Sequence, residues 1–181
     1  MESHIGVGVG EYIEREFNNA KKSLWLVSPT LTQNTAKKII SIANKGVKIR
    51  ILTSPRINPE SEYANIVIKK FVLSQNKSNS QSQIDQKIAD YKDIPMVHVK
   101  LYIIDEKLAI IGSANLGEKH FWEYAEYVCL FDEPDIVKKT IADFEKLWSS
   151  CNSYDLQLSK ETVRLKNILR FLIRNINKIR H

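Results

Sequence analysis

The chain has 181 residues, enough for one domain with a sizeable core but not for two full catalytic domains. Its composition, 43% hydrophobic and 27% charged, is that of a globular protein, and no apolar run approaches the roughly 20 residues needed to span a bilayer. The net charge of +6 is uneven: residues 151–181 hold seven basic side chains against Asp155 and Glu161, so the remainder of the chain is close to neutral.

In chain order, Met1 to Gly10 lacks a basic region followed by an apolar core, so no secretory signal is expected and the cytoplasm is the expected location. Gly6-Val7-Gly8-Val9-Gly10 follows no strand and lacks the lysine of a phosphate loop, which makes it a flexible lead-in. Ile13, Phe17 and Ala20 fall at helical spacing over Glu11 to Lys22, and Ser23 to Ser28 reads as a strand ending at Pro29. A second helix is predicted from Thr35 to Lys45, with Ala36, Ile39, Ile40 and Ala43 inward and Gly46 ending it. Val47 to Thr53 alternates apolar with basic residues and is a strand. Helix, strand, helix, strand in succession argues for an α/β layered domain.

The pattern weakens after Ser54. Glu62 to Leu73 and Ile84 to Tyr91 are predicted as helices, and the polar run 74–83 between them as a mobile loop, either a tolerated insertion or a substrate-facing lid. Val97 to Ile104, Leu108 to Ile111 and Glu126 to Phe131 are three further strands. Pro134 suits the first turn of a helix that places Val137, Ile141, Phe144 and Trp148 on one face. Cys129 and Cys151 are isolated and read as buried or free thiols rather than a disulfide framework or a zinc site. The expected domain covers residues 1–154, followed by a basic amphipathic helix over 155–181.

The segment 98–126 holds the chemistry. It reads His98-Val99-Lys100, then Asp105, then Gly112-Ser113-Ala114-Asn115. On a strand, His98, Lys100 and Tyr102 share one face, with His98 and Lys100 about 6 to 7 Å apart, a span that one phosphate bridges. Lys100 offers a compact charge to a phosphate oxygen, Ser113 and Asn115 add neutral donors, and Gly112 permits close backbone approach. A lone His98 would be an ordinary core residue and Lys100 an edge charge, but that reading leaves Ser113, Asn115 and Glu126 unexplained.

These residues resemble the HKD motif of the phospholipase D superfamily: His-x-Lys, four residues, Asp, six residues, Gly-Ser-x-Asn. The resemblance is specific over 97–131 and loose over 10–150. It implies a mixed β-sheet with helices on both faces, and a phosphodiesterase that works without a metal or other cofactor. It also implies that His98 attacks phosphorus to form a phosphohistidine while a second histidine protonates the leaving oxygen, and that Lys100, Ser113 and Asn115 bind phosphate. A downstream glutamate of the family bonds the far ring nitrogen of the nucleophile. Glu126, thirteen residues after Ser113, has the spacing of the small bacterial endonucleases, with Glu123 as competitor. Those enzymes tend to carry asparagine where this chain has Tyr124. Asp105, for its position in a turn, is assigned to structure, holding the Ser113 loop.

Of the four histidines, His4, His98, His120 and His181, only His98 is followed by lysine at the second position. The second motif must therefore come from another copy, and the simplest closed arrangement is a twofold homodimer with His98 near the axis. Phe121 and Trp122 are candidates for lining that interface, for stacking on substrate, or for ordinary core. Clustered carboxylates for magnesium and zinc-binding spacings are both missing, so no metal is expected. The expected substrate is DNA or RNA, with Arg164, Lys166, Arg170, Arg174 and Lys178 of the tail as candidate nucleic-acid contacts. The tail's apolar residues could equally form core or interface. The alternatives are lipid phosphodiester hydrolysis or transfer, with the tail on an anionic membrane surface, and a nucleic-acid-binding module with a vestigial site.

Overall fold

The chain is described from a computed structural model, over residues 1–54, 58–77, 82–90 and 96–152. Seven strands form one mixed sheet in the order β1-β7-β6-β5-β2-β3-β4. They are β1 (Glu2–Gly6), β2 (Ser23–Val27), β3 (Lys48–Thr53), β4 (Ile84–Ile88), β5 (Leu101–Ile104), β6 (Leu108–Gly112) and β7 (Glu126–Phe131). β2, β3 and β4 are parallel to one another; β5, β6, β7 and β1 pair antiparallel in series from β2. Among the described residues four α-helices flank the sheet: α1 (Gly10–Asn19), α2 (Gln33–Ala43), α3 (Pro59–Lys77) and α4 (Pro134–Ser150). None of the described helices is long and apolar enough to cross a membrane.

Strand alternation divides the core in two. Leu24, Leu26, Ile49, Ile51, Tyr102, Ile104 and Ile110 face α1, α2 and α3, meeting Ile13, Phe17, Ala36, Ile39, Ala64 and Ile68. Val27, Leu52, Leu101 and Ile103 face the other way and pack under Phe144 and Trp148 of α4. Both faces of the middle strands are thus buried, as the near-continuous apolar runs require, and helices lie on both sides of the sheet.

Four local expectations are corrected. Ile84 to Ile88 is a strand parallel to β3, not a helix: both apolar residues are buried, and a spacing of four satisfies either period, so the unpaired edge of β3 decides. The polar run 74–83 is not one loop, since Ser74 to Lys77 continues α3; a polar last turn needs no buried face once the helix is anchored upstream. The glycine-rich lead-in from Gly6 does follow a strand: residues 2–6 form β1, whose mostly exposed side chains carry no hydrophobic pattern and whose order comes from pairing with β7. The strand expected over 97–104 begins at Leu101, leaving 97–100 irregular. Residues 78–81, the domain boundary at 154 and the whole tail, with Arg164, Lys166, Arg170, Arg174 and Lys178, lie outside the described residues.

Candidate active site

β5 and β6 form a hairpin in which Lys107 N–H donates to the Ile104 carbonyl at 3.0 Å across Asp105 and Glu106, both in the left-handed region at φ +53° and +57°. This is a type I′ turn, whose twist suits adjacent antiparallel strands. Its register sets Leu101 opposite Ile111, and Gly112 N–H reaches the Lys100 carbonyl at 3.3 Å. The hairpin therefore carries Gly112 to the side of Lys100, twelve residues away in sequence. A Cβ on Gly112 would lie 2.1 Å from the Tyr127 carbonyl oxygen, so the close approach this glycine allows is to the β7 backbone.

His98 is exposed and Lys100 is 8% exposed. The Lys100 ammonium lies 3.1 Å and 3.0 Å from the two His98 ring nitrogens and donates to the His98 carbonyl at 3.0 Å. An ammonium has only protons to give, so this contact suits a ring with a bare nitrogen, the neutral state an attacking imidazole needs. Burial pushes the Lys100 ammonium below its ordinary value, and the Glu126 carboxylate works in the opposite direction. A buried cation beside an exposed imidazole is an arrangement that gains from an anion.

Glu126, 9% exposed, is the buried acid of the site, but His98 is not its partner. Its Oε2 accepts a short hydrogen bond from Ser113 Oγ, and its Oε1 lies 2.6 Å from Nδ1 of His120. The other His120 nitrogen, Nε2, is 3.0 Å from Asn115 Nδ2. The expected bond from Glu126 to His98 is corrected: among the described residues the His98 ring is met by Lys100, and His120 occupies the carboxylate oxygen that Ser113 leaves. His120 sits on a π-helical turn, Lys119–Glu123, which packs against α1 through Phe121 and Gly10 and so brings the imidazole back over Asn115. Sequence reasoning passed over His120 because no recognised spacing joins it to Ser113.

The Ser113–Asn115 loop is held from beneath. Tyr102, 1% exposed, donates from its hydroxyl to the Ala114 carbonyl at 2.6 Å, and burial pushes that hydroxyl well above its ordinary value. Leu116 N–H donates to Ser28 Oγ at 3.1 Å, and Thr32 N–H to the Leu116 carbonyl at 2.9 Å. Asp105 has a different place from the one expected: it lies at the far end of β5 from Lys100 and takes the N–H groups of Lys21, Lys22 and Ser23 at 2.7 to 3.1 Å. It ties the hairpin to the α1–β2 junction rather than holding the Ser113 loop.

Of the aromatics beyond the motif, Phe121 is 1% exposed and belongs to the core, whereas Trp122 is 44% exposed. Glu123 is exposed and lines, with Tyr124, His120, Thr30 and Thr32, a cavity of about 350 Å³ beside the site.

The family model for the cardiolipin synthase, phospholipase D-like domain matches residues 13–148. An uncharacterized protein of Helicobacter pylori is 28% identical over 150 residues, covering 75% of this chain and 30% of that protein. A Geobacillus cardiolipin synthase is 30% identical over 132 residues, covering 70% of this chain and 24% of the synthase. The chain thus spans less than a third of the length of these curated relatives. Among solved structures, the phospholipase D family member Nuc from Salmonella typhimurium shares the fold at a TM-score of 0.67 and 17% identity, over 86% of this chain and 99% of Nuc.

Proposed function

The chain belongs to the phospholipase D superfamily, and on that premise we propose that it is a metal-independent phosphodiesterase that cuts nucleic acid in an active site shared by two copies of the chain. The observation that carries the reading is the buried Lys100 ammonium within 3.1 Å of the His98 ring, on the same hairpin that delivers Ser113 and Asn115. In the proposed reaction a neutral His98 nitrogen attacks phosphorus as the bond to the leaving oxygen breaks. The partner's His98, protonated, gives that oxygen its proton. Water then attacks the phosphohistidine, yields a proton to the same partner imidazole, and frees His98. Lys100, with the Asn115 amide and with the Ser113 hydroxyl once it turns from Glu126 to the phosphate, offsets charge on the non-bridging oxygens.

Two observations support the shared site. His98 is exposed between Met96 and Val99, which are 47% and 43% exposed, and on the sheet face of Leu101 the side chains of Ile111 and Tyr127 are 39% and 45% exposed. Leu101, Ile111, Cys129, Tyr127 and Ile5 also share one face of the sheet by register and alternation. α4 covers that face at Leu101, and it opens progressively toward Ile5, which is 82% exposed. Such a patch fits a second copy of the chain. Nucleic acid is favoured over lipid because the spacing from Ser113 to Glu126 resembles that of the small endonucleases of the superfamily.

Lipid phosphodiester chemistry is the second reading, favoured by the description of the matching family. Wild type and His98→Ala are to be incubated in EDTA with plasmid, single-stranded DNA, RNA and cardiolipin vesicles. Cutting of nucleic acid by wild type alone is expected, with activity of the variant lower by at least about 10⁴-fold. Lipid turnover alone establishes the second reading. Loss of all turnover in EDTA, or an active His98→Ala protein, defeats the mechanism.

A further inference from the structure

His120 stands between two groups of the cradle, and its hydrogen bonds fix its proton. Glu126 Oε1, 2.6 Å away, only accepts when ionised, so Nδ1 carries hydrogen. In the neutral ring Nε2 is then an acceptor and takes an N–H from Asn115 Nδ2 at 3.0 Å. That arrangement has a defect: Asn115 Oδ1 is buried without a hydrogen-bond partner. A buried bare carbonyl costs free energy that a nearby donor would recover. The donor is at hand if His120 takes up a second proton. Nε2–H would then face Asn115, the amide would turn over to present Oδ1 to it, and the whole NH₂ group would point away from the imidazole.

A phosphodiester oxygen is an acceptor and needs that NH₂. We propose that His120 is a positioning residue for the phosphate cradle: held by Glu126, it sets the orientation of the Asn115 amide, and in its cationic form it turns the amide's NH₂ toward the bound anion. The inference rests on the reading of Asn115 as a phosphate ligand. Anion binding and protonation of His120 are then reciprocal, each favouring the other.

Charged groups face the imidazole from several elements. Glu126 reaches His120 from β7, Glu60 lines the adjoining cavity from α3, and Glu118 and Glu123 line it from the turn's own segment. Lys119 is the positive group on that cavity, and Lys100 acts on the Glu126 carboxylate from the segment just before β5. The Tyr124 ring meets the imidazole edge-on at 5.2 Å, a contact compatible with either charge state.

The test uses His98→Ala protein, which removes both turnover and the titration of His98, and dimethyl phosphate, whose single charge is constant over about pH 5 to 9. Affinity measured by NMR titration is expected to be about tenfold tighter at the acid end, the worth of one charge-assisted hydrogen bond. Adding His120→Gln, which keeps Lys100 and every other titrating group, is expected to flatten that dependence. A flat profile in His98→Ala, or an unchanged slope in the double variant, overturns the inference alone. No binding at any pH by either protein overturns it together with the cradle reading. Imidazole nitrogen spectra of the wild-type protein provide a check free of folding artefacts: the neutral ring must be the Nδ1–H tautomer, and an Nε2–H tautomer refutes the assignment.

Discussion

Asp105 separates the family motif's structural residue from its reactive ones. Burial alone would resist its ionisation, but the N–H groups of Ser23, Lys22 and Lys21, with Lys107 nearby, hold the carboxyl below its ordinary value. Because the folded-state value is depressed, the stabilisation is present above the unfolded-state value, near pH 4, and is lost as pH falls through the folded one. Asp105→Ala is therefore expected to cost about 2 kcal/mol near neutrality, with the gap to wild type narrowing in acid, as urea denaturation at the two pH values would measure. Asp105→Asn, which keeps one acceptor and tolerates positive φ, should recover part of the loss. His98, Lys100, Ser113 and Asn115 stood out in the sequence because the family motif sets those residue types at fixed intervals. His120 and Tyr102 were not: each acts on the loop through a hydrogen bond that exists only after the hairpin and the π turn have folded.

Elements were legible where hydrophobic spacing chose one period. The α4 face of Val137, Phe144 and Trp148 and the β7 run of Glu126–Phe131 follow directly from it. β1 and β4 did not, since each is an edge strand ordered by the neighbour it covers rather than by its own pattern. β3 shows a subtler limit. Its alternation of apolar and basic residues suggests a solvated face, yet Arg50 lies beneath α4, with its guanidinium 4.8 Å from the Trp25 ring centroid, 5.0 Å from Phe144 and 4.5 Å from Trp148. Glu145 closes the arrangement by accepting from both guanidinium nitrogens. The long stem and flat head of arginine let a charged residue help seat a helix on a sheet. Arg50→Ala is expected to destabilise by about 2 kcal/mol in chemical denaturation. Arg50→Lys should restore less than half of that, because an ammonium neither stacks on three rings nor forks onto a carboxylate.

At the scale of the whole molecule, the question is where the second histidine comes from. His4 stacks on Tyr12 at 3.3 Å and pairs with Glu2 on the β1 edge, while His120 is held between Glu126 and Asn115, so among the described residues His120 alone shares the site with His98. Either His120 is the acid within one chain, or the acid is the partner's His98. Subunit mixing decides between them. If two copies share the site, exchange of wild type with an equal amount of His98→Ala protein leaves about a quarter of the pairs with both His98 side chains, and the total activity of the wild type present should fall to about half. Excess variant should drive it toward zero. A site complete within each chain predicts activity proportional to wild-type chains and indifferent to the variant. The shared site therefore requires quadratic dependence on the wild-type fraction, and a linear dependence would assign the leaving-group proton to His120 and make the dimer unnecessary for chemistry.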